Sequence, residues 1–101
     1  MEAALRAIAE PRRRAILQLV RNQELTAGEI ATQFEVTRPA ISQHLTVLKE
    51  AQLVVERHVG TRRLYRARPE GLAELRAYLD DFWGDSLEHL KQAVEQDQEW
   101  E

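Results

Sequence analysis

Residues 37–50 carry, on one face of a predicted helix, side chains whose chemistry suits the base edges of DNA. Ser42, Gln43 and Thr46 offer short hydrogen-bonding groups, and a glutamine can make a bidentate pair with adenine in the major groove. The alternative is a face that is only solvated. The candidate contacts on this helix, among which Arg38 suits a phosphate or a base, are Thr37, Arg38, Pro39, Ser42, Gln43 and Thr46.

An apolar stripe on the other side of this helix is expected to hold it in place. Ile41, Leu45 and Leu48 recur at i, i+4 and i+7, which puts them on one side of an α-helix. Thr37 is a good N-cap residue, and Pro39 falls in the first turn, where its missing N–H does no harm. We therefore predict a helix that buries leucines and presents its polar face outward.

Arg62 and Arg63 follow a predicted hairpin turn at Gly60-Thr61. Two β-rich runs flank the turn, so we predict a β-hairpin, or wing, over about residues 53–68. Guanidinium groups near its tip suit a minor groove or phosphates. The alternative is that these charges only protect the hairpin edge from pairing with another strand. Weaker candidates for DNA contact in the same hairpin are Arg57, Arg66 and Arg68.

The remaining arginines, a histidine and a tyrosine are predicted to have structural roles or to be solvated. Three consecutive arginines, residues 12–14, lie at a helix start, where the helix dipole disfavours cations. We expect them to be solvated, with a phosphate contact by one of them as the alternative. His44 is predicted to be partly buried and to brace its helix, with a phosphate contact as the alternative. Tyr65 is expected to pack the wing onto the core.

Two short helices precede the polar-faced helix. Residues 2–8 have a helical pattern, and a second helix is predicted from Pro11 to about residues 22–23. Thr26 followed by Glu29 has the spacing of a capping box and begins a third helix. Only Glu35 and Val36 separate that helix from the one beginning at residue 37. Two helices joined so closely predict a helix-turn-helix, whose second helix enters the major groove.

A long helix is predicted from about residue 71 to residue 96. Its leucine stripe shifts by one four-residue step near Gly84, where a kink or a break is an open alternative. This helix is too apolar to stand alone, so a second copy of the chain is expected to cover it. The candidate dimer contacts are Leu5, Leu79, Phe82, Trp83, Leu87, Leu90 and Val94. Trp100, in the acidic tail, is expected to have no structural role.

Composition limits the classes of function. The chain has 101 residues, a net charge of −3 and no cysteine, which excludes disulfides and thiolate sites. Residues 1–68 carry a net charge of +5 and residues 69–101 carry −8, so a basic body precedes an acidic helix. Without a signal-peptide layout or a membrane-length apolar run, we expect one cytoplasmic domain over residues 1–101. Without a nucleophilic cysteine, a phosphate loop or a catalytic His–carboxylate spacing, we expect no enzymatic activity.

The block at residues 42–54, together with AEPRRRAILQLV and the wing ending GTRRLYR, resembles the ArsR/SmtB family of bacterial repressors. The resemblance covers nearly the whole chain. It implies a mainly α winged helix-turn-helix fold in the order α-α-α-α-β-β-α, dimerising through the terminal helices. It also implies a homodimeric repressor that binds double-stranded DNA. Because no apolar run is long enough to span a bilayer, we expect no membrane partner.

Metal sensing in that family is where this chain departs from the pattern. Thr26 stands where the arsenic and cadmium sensors carry a cysteine, and the last helix has a single histidine, His89, near Asp85 and Glu88. A zinc site needs three or four suitable ligands. We therefore predict no metal site and no cofactor, and an inverted-repeat operator bound without metal. The alternative is a repressor that responds to a metal or a small molecule through an effector site on the last helix, at the dimer interface.

Overall fold

The computed structural model describes residues 1–98, with the side chains of residues 83–90 and 96–98 outside the description. Five helices and one hairpin follow one another along this part of the chain. Their bounds are α1 (Glu2–Ile8), α2 (Pro11–Leu19), α3 (Ala27–Phe34), α4 (Arg38–Glu50), β1 (Val54–Val59), β2 (Arg62–Ala67) and α5 (Pro69–Gln98). The predicted order α-α-α-α-β-β-α is confirmed.

Helices α3 and α4 form the helix-turn-helix. The Thr26 hydroxyl accepts a hydrogen bond from the Glu29 N–H at 3.1 Å, and the Glu29 carboxylate accepts one from the Thr26 N–H at 2.9 Å, so the predicted capping box is present. Glu35 ends α3 in the left-handed region with φ of 53°. The Thr37 hydroxyl then accepts from the Ala40 N–H and begins α4, as predicted.

The core lies between these helices and the base of the hairpin. Ile41, Leu45 and Leu48 of α4 are at most 1% exposed, which confirms the predicted buried stripe. Helix α2 contributes the fully buried Ile16, and it ends at Leu19, before the predicted residues 22–23. The remaining large side chains that are fully buried are Val20, Ile30 and Leu53. Such close packing of branched side chains fixes the direction in which the polar face of α4 points.

The hairpin pairs Val54–Val59 with Arg62–Ala67 in antiparallel register, with Glu56 opposite Tyr65. Gly60 has a φ of 60°, as the first central residue of a II′ hairpin turn requires. The body holds the second strand through backbone hydrogen bonds in both directions between Leu25 and Tyr65, at 2.8 and 3.1 Å. Because Tyr65 itself is only 8% exposed, the expectation that it packs the wing onto the core is confirmed.

Helix α5 begins at Pro69, two residues before the predicted start, because the Arg68 carbonyl already accepts the Leu72 N–H at 3.2 Å. It continues through Gly84 to Gln98, so the alternative of a break at that glycine is wrong. Gly71 lies against the turn that ends α4, where an added Cβ would meet the Gln52 carbonyl. Glycine at this position therefore lets α5 approach the end of α4 closely.

Candidate nucleic-acid interface

The outward face of α4 carries the predicted base-contacting side chains. Gln43 and Thr46 are exposed, as are Thr37, Arg38 and Pro39 at the helix start, and Ser42 is half-buried beside them. The Thr46 hydroxyl donates to the Ser42 carbonyl at 3.0 Å, one turn back along the helix. Its oxygen still has lone pairs that can accept a hydrogen bond from a base. The tight packing of the opposite stripe leaves this face open to solvent.

Arg38 and Ser42 meet the tip of the wing across a cleft of about 370 Å³, which we call the basic cleft. Four of the predicted DNA-contacting residues, two from α4 and two from the second strand of the wing, therefore line one depression. Its lining residues are Thr26, Ala27, Gly28, Arg38, Ser42, Thr61, Arg62, Arg63 and Tyr65. Three guanidinium groups around one opening favour an anion, and each can donate to phosphate oxygens in a bidentate manner.

Arg62 also has an acidic neighbour that sequence reasoning did not include in the site. Its Nη2 donates to Oε1 of Glu29 at 3.4 Å, and both side chains are largely exposed. The pKa of Glu29 is lowered, first by the hydrogen bond from the Thr26 backbone, then by the Thr26 hydroxyl, and further by the charge of Arg62. The capping-box spacing identified Glu29 as a helix cap, but no local pattern pairs it with a residue 33 positions away.

Glu56 connects α4 to the wing next to the basic cleft. Its carboxylate accepts from Nε2 of His58 at 2.6 Å and lies 3.6 Å from Nζ of Lys49 on α4. The hydrogen bond from His58 is the largest cause of the lowered pKa of Glu56, and the Tyr65 hydroxyl contributes. Burial, followed by the neighbouring Glu56 carboxylate, raises the pKa of Tyr65. These contacts fix the wing beside the outward face of α4.

Arg57, a weaker candidate for DNA contact, is engaged elsewhere in the chain. Its Nε and Nη2 donate to the two carboxylate oxygens of Glu24 at 2.8 and 2.9 Å. This bidentate pair lowers the pKa of Glu24 and raises that of Arg57, in both cases chiefly through the hydrogen bond between them. The pair ties the first strand of the wing to the segment before α3.

The arginines at the start of α2 are not simply solvated, so that expectation is wrong. Arg13 donates to the carbonyls of Ala7 and Arg6 at 2.7 and 3.1 Å, and Arg14 donates to the Ile8 carbonyl at 2.6 Å. The guanidinium of Arg12 lies 5.1 Å from the ring centroid of Phe34. Arg13 and Arg14 oppose the dipole of α2, but they donate hydrogen bonds to carbonyls at the end of α1.

His44 is the half-buried brace that the sequence predicted. Its Nδ1 lies 3.4 Å from Nη1 of Arg13, which links α4 to the α1–α2 corner. Burial, and then the charge of Arg13, lowers the pKa of His44, so the ring is neutral at neutral pH. Because a guanidinium can only donate, Nδ1 must be the acceptor, and the ring proton resides on Nε2.

The predicted dimer contacts divide into two groups. Leu5 and Leu79 pack partly against the core of their own subunit. Phe82 is 59% exposed and Val94 is 49% exposed, on the part of α5 that follows Leu79. Trp83, Leu87 and Leu90, together with His89, lie outside the described side chains, and Trp100 lies outside the described residues.

The described residues also bear on metal sites and on membrane-spanning helices. No group of three or more His, Cys, Asp or Glu side chains among them is arranged to hold a metal ion. Within the same residues, no helix has the length and apolar character needed to cross a membrane.

Comparison of the chain with known proteins identifies its relatives. Residues 10–55 match the family model described as bacterial regulatory protein, arsR family. The HTH-type transcriptional regulator Rv2034 of Mycobacterium tuberculosis is 46% identical over 94 residues, which make up 93% of this chain and 88% of that protein.

Solved structures with the same fold agree with that match. A crystal structure of a possible transcriptional regulator for arsenical resistance has 49% identity and a TM-score of 0.77, covering 86% of this chain and 91% of the other. The homodimeric winged helix-turn-helix domain Mb0332 from Mycobacterium bovis, described as a possible ArsR-family regulator, has 34% identity and a TM-score of 0.67. That alignment covers 87% of this chain and 82% of Mb0332.

Proposed function

This chain belongs to the ArsR family of bacterial regulatory proteins, and we propose that it represses transcription as a homodimer on an inverted-repeat operator. At the coarser level, the chain is a DNA-binding transcriptional regulator and not an enzyme. The proposal adds that residues 1–101 act as a single winged helix-turn-helix domain in the cytoplasm. It also adds the particular side chains that contact the DNA.

The observation that carries the proposal is the meeting of two DNA-reading elements at the basic cleft. Helix α4 supplies Arg38 and Ser42, and the wing supplies Arg62 and Arg63. With α4 in the major groove, Gln43 and Thr46 contact base edges, and Thr37 and Pro39 lie near the backbone. The wing arginines reach phosphates or the adjacent minor groove.

The distribution of charge supports this orientation. The net charge of −3 would repel DNA if it were spread evenly, but residues 1–68 hold +5 and residues 69–101 hold −8. Exposed charges act over about 8–10 Å at physiological salt, so DNA at the basic cleft interacts with local arginines. The acidic segment coincides with α5, whose charge is best kept away from the phosphates.

The exposed apolar side chains of α5 support the proposed dimer. Phe82 and Val94 are about half exposed on a helix that makes its core contacts through Leu72, Leu75 and Leu79. A second copy related by a two-fold axis would cover the outer segment, and the homodimeric Mb0332 domain supports such an arrangement. Two recognition helices in successive major grooves lie about 34–36 Å apart, which requires an inverted repeat.

The wing arginines provide the direct test of the interface. The operator is first selected from genomic DNA fragments retained by the protein. Binding of the Arg62→Ala/Arg63→Ala variant is then measured over a range of salt concentrations. We expect the salt dependence to fall by about one to two ions per subunit. Arg76→Ala is the matched control, because it removes an exposed arginine of α5 that pairs with Asp80, at 3.6 Å, and is not among the proposed DNA contacts. An unchanged slope in the double variant would contradict the proposal for the wing.

Repression without a metal is the second part to test. It rests on the absence of cysteine from the sequence and on the presence of one histidine on α5. Operator affinity is compared after exhaustive chelation and after addition of zinc, cadmium or nickel. We expect less than about a tenfold change with any of them, which corresponds to roughly 1.4 kcal/mol. A larger change at micromolar metal would favour the effector alternative, with His89 as the first residue to substitute.

A further inference from the structure

Glu29 is an acidic group bonded to two residues that line the basic cleft. Its Oε1 accepts from the Thr26 N–H at 2.9 Å and from Nη2 of Arg62 at 3.4 Å. One carboxylate oxygen therefore serves both as a helix cap and as the anion beside a wing arginine. The hydrogen bonds from Thr26 and the charge of Arg62 lower the pKa of Glu29, so the group is ionised at neutral pH.

The contact between Glu29 and Arg62 is one that a phosphate can replace. It is a single, long hydrogen bond, and the two side chains are 49% and 60% exposed. The pair of Arg57 with Glu24, by contrast, has two short bonds. Exposed single contacts of the first kind contribute little to stability and exchange readily.

We propose that Glu29 occupies the place of a DNA phosphate at Arg62 in the free protein and thereby weakens binding to DNA of any sequence. This inference rests on the proposed function, because it requires Arg62 to contact the DNA backbone. To make that contact, Arg62 must leave Glu29, or the phosphate must approach a like charge. Phosphate contacts carry no sequence information, so the loss is equal on operator and non-operator DNA. The consequence is that operator and non-operator DNA both hold the regulator less strongly, by the same factor.

Glu29→Gln tests the competition without removing the helix cap. A glutamine at this capping-box position can still accept from the Thr26 N–H, so α3 keeps its start. We expect DNA affinity to rise about two- to fivefold per subunit, equally on operator and random DNA. Arg62 then contacts phosphate with no carboxylate to neutralise it, so we expect the salt slope to steepen by up to about one ion per subunit. Asp80→Asn is the matched control, since Asp80 is an exposed carboxylate of α5 that lies 3.6 Å from Arg76, an arginine outside the proposed DNA contacts.

Two further measurements separate this inference from the proposed function. In an Arg62→Ala background, Glu29→Gln should give little or no gain, because the competing partner is absent. A gain as large as in the unmodified chain would overturn the competition. The competition would also be overturned if Glu29→Gln left the DNA affinity unchanged or lowered it. If Arg62→Ala/Arg63→Ala still weakened binding in that case, only this inference would fail. If the double arginine variant binds DNA as tightly as the unmodified chain, the proposed function of the wing fails instead.

Discussion

Replacing Arg13 by alanine should destabilise the fold and leave phosphate binding unchanged. The side chain donates to the Ala7 carbonyl at 2.7 Å in a half-buried position and to the Arg6 carbonyl at 3.1 Å at the surface. Hydrogen bonds from charged donors contribute about 1.5–3 kcal/mol each when buried and less at the surface. We therefore expect Arg13→Ala to lower the free energy of unfolding by about 2 kcal/mol.

The assay is thermal unfolding at one fixed protein concentration, because the stability of a dimer depends on concentration. For a domain of this size, about 2 kcal/mol corresponds to a melting temperature lower by roughly 8–10 °C. Arg14→Ala is the matched control, since it removes one surface hydrogen bond, to the Ile8 carbonyl, and should cost at most about 1 kcal/mol.

The pKa of His44 provides a second, independent test of the position of Arg13. Its pKa is lowered first by burial and then by the charge of Arg13. In the Arg13→Ala variant the second cause is gone, so an NMR titration should show the pKa of His44 shifted upward. The reasoning would be refuted by an unchanged melting temperature together with a salt slope of DNA binding reduced by about one ion. That result would make Arg13 a phosphate contact.

Three other predictions concern glycines in helices, the wing and the outward face of α4. Gly71→Ala should lower stability by at least about 1–3 kcal/mol, because its Cβ would meet backbone, whereas Gly28→Ala has ordinary space and should be neutral or stabilising in thermal unfolding. The pKa of Glu56 is lowered in the folded chain, so its negative charge stabilises the fold at pH values above its ordinary pKa of 4.5. This stabilisation is lost as the pH falls through the lower pKa of the folded chain. The stability deficit of Glu56→Gln at neutral pH should therefore shrink in acid denaturation series, and a constant deficit would contradict this assignment. Gln43→Ala should cost about 1–3 kcal/mol on the operator and much less on random DNA, and equal losses on both would show that Gln43 does not contact bases.

The sequence determined those features that depend on short-range patterns. The i, i+4, i+7 stripe of Ile41, Leu45 and Leu48 predicted the buried side of α4, and with it the side that faces outward. Thr26 with Glu29 gave the start of α3, and Gly60 gave the turn of the wing. Helix periodicity, capping and hairpin turns involve residues only a few positions apart, so their physical causes can be read from the chain itself.

Helix ends were less accessible to the sequence because tertiary contacts set them. Helix α2 stops at Leu19, and the Val20 carbonyl accepts the Ala67 N–H of the wing at 3.0 Å. Helix α5 begins at Pro69 and runs unbroken through Gly84, although glycine lowers helix propensity by about 1 kcal/mol. A cost of that size is small enough for the helical turns on either side to offset.

The partners of the charged side chains were decided only by the tertiary structure. Arg57 with Glu24 and Arg62 with Glu29 are each 33 residues apart, and the sequence gives every arginine several equivalent acidic partners. The sequence predicts solvated side chains for the arginines at the start of α2, whereas the contacts of Arg13 and Arg14 depend on how α2 folds back on α1. Burial of apolar side chains can be predicted from a periodic pattern, because it requires only that they lie on the same side of a helix or strand. An ion pair or a cap needs two particular atoms within about 3 Å, and only the packed chain brings those atoms together.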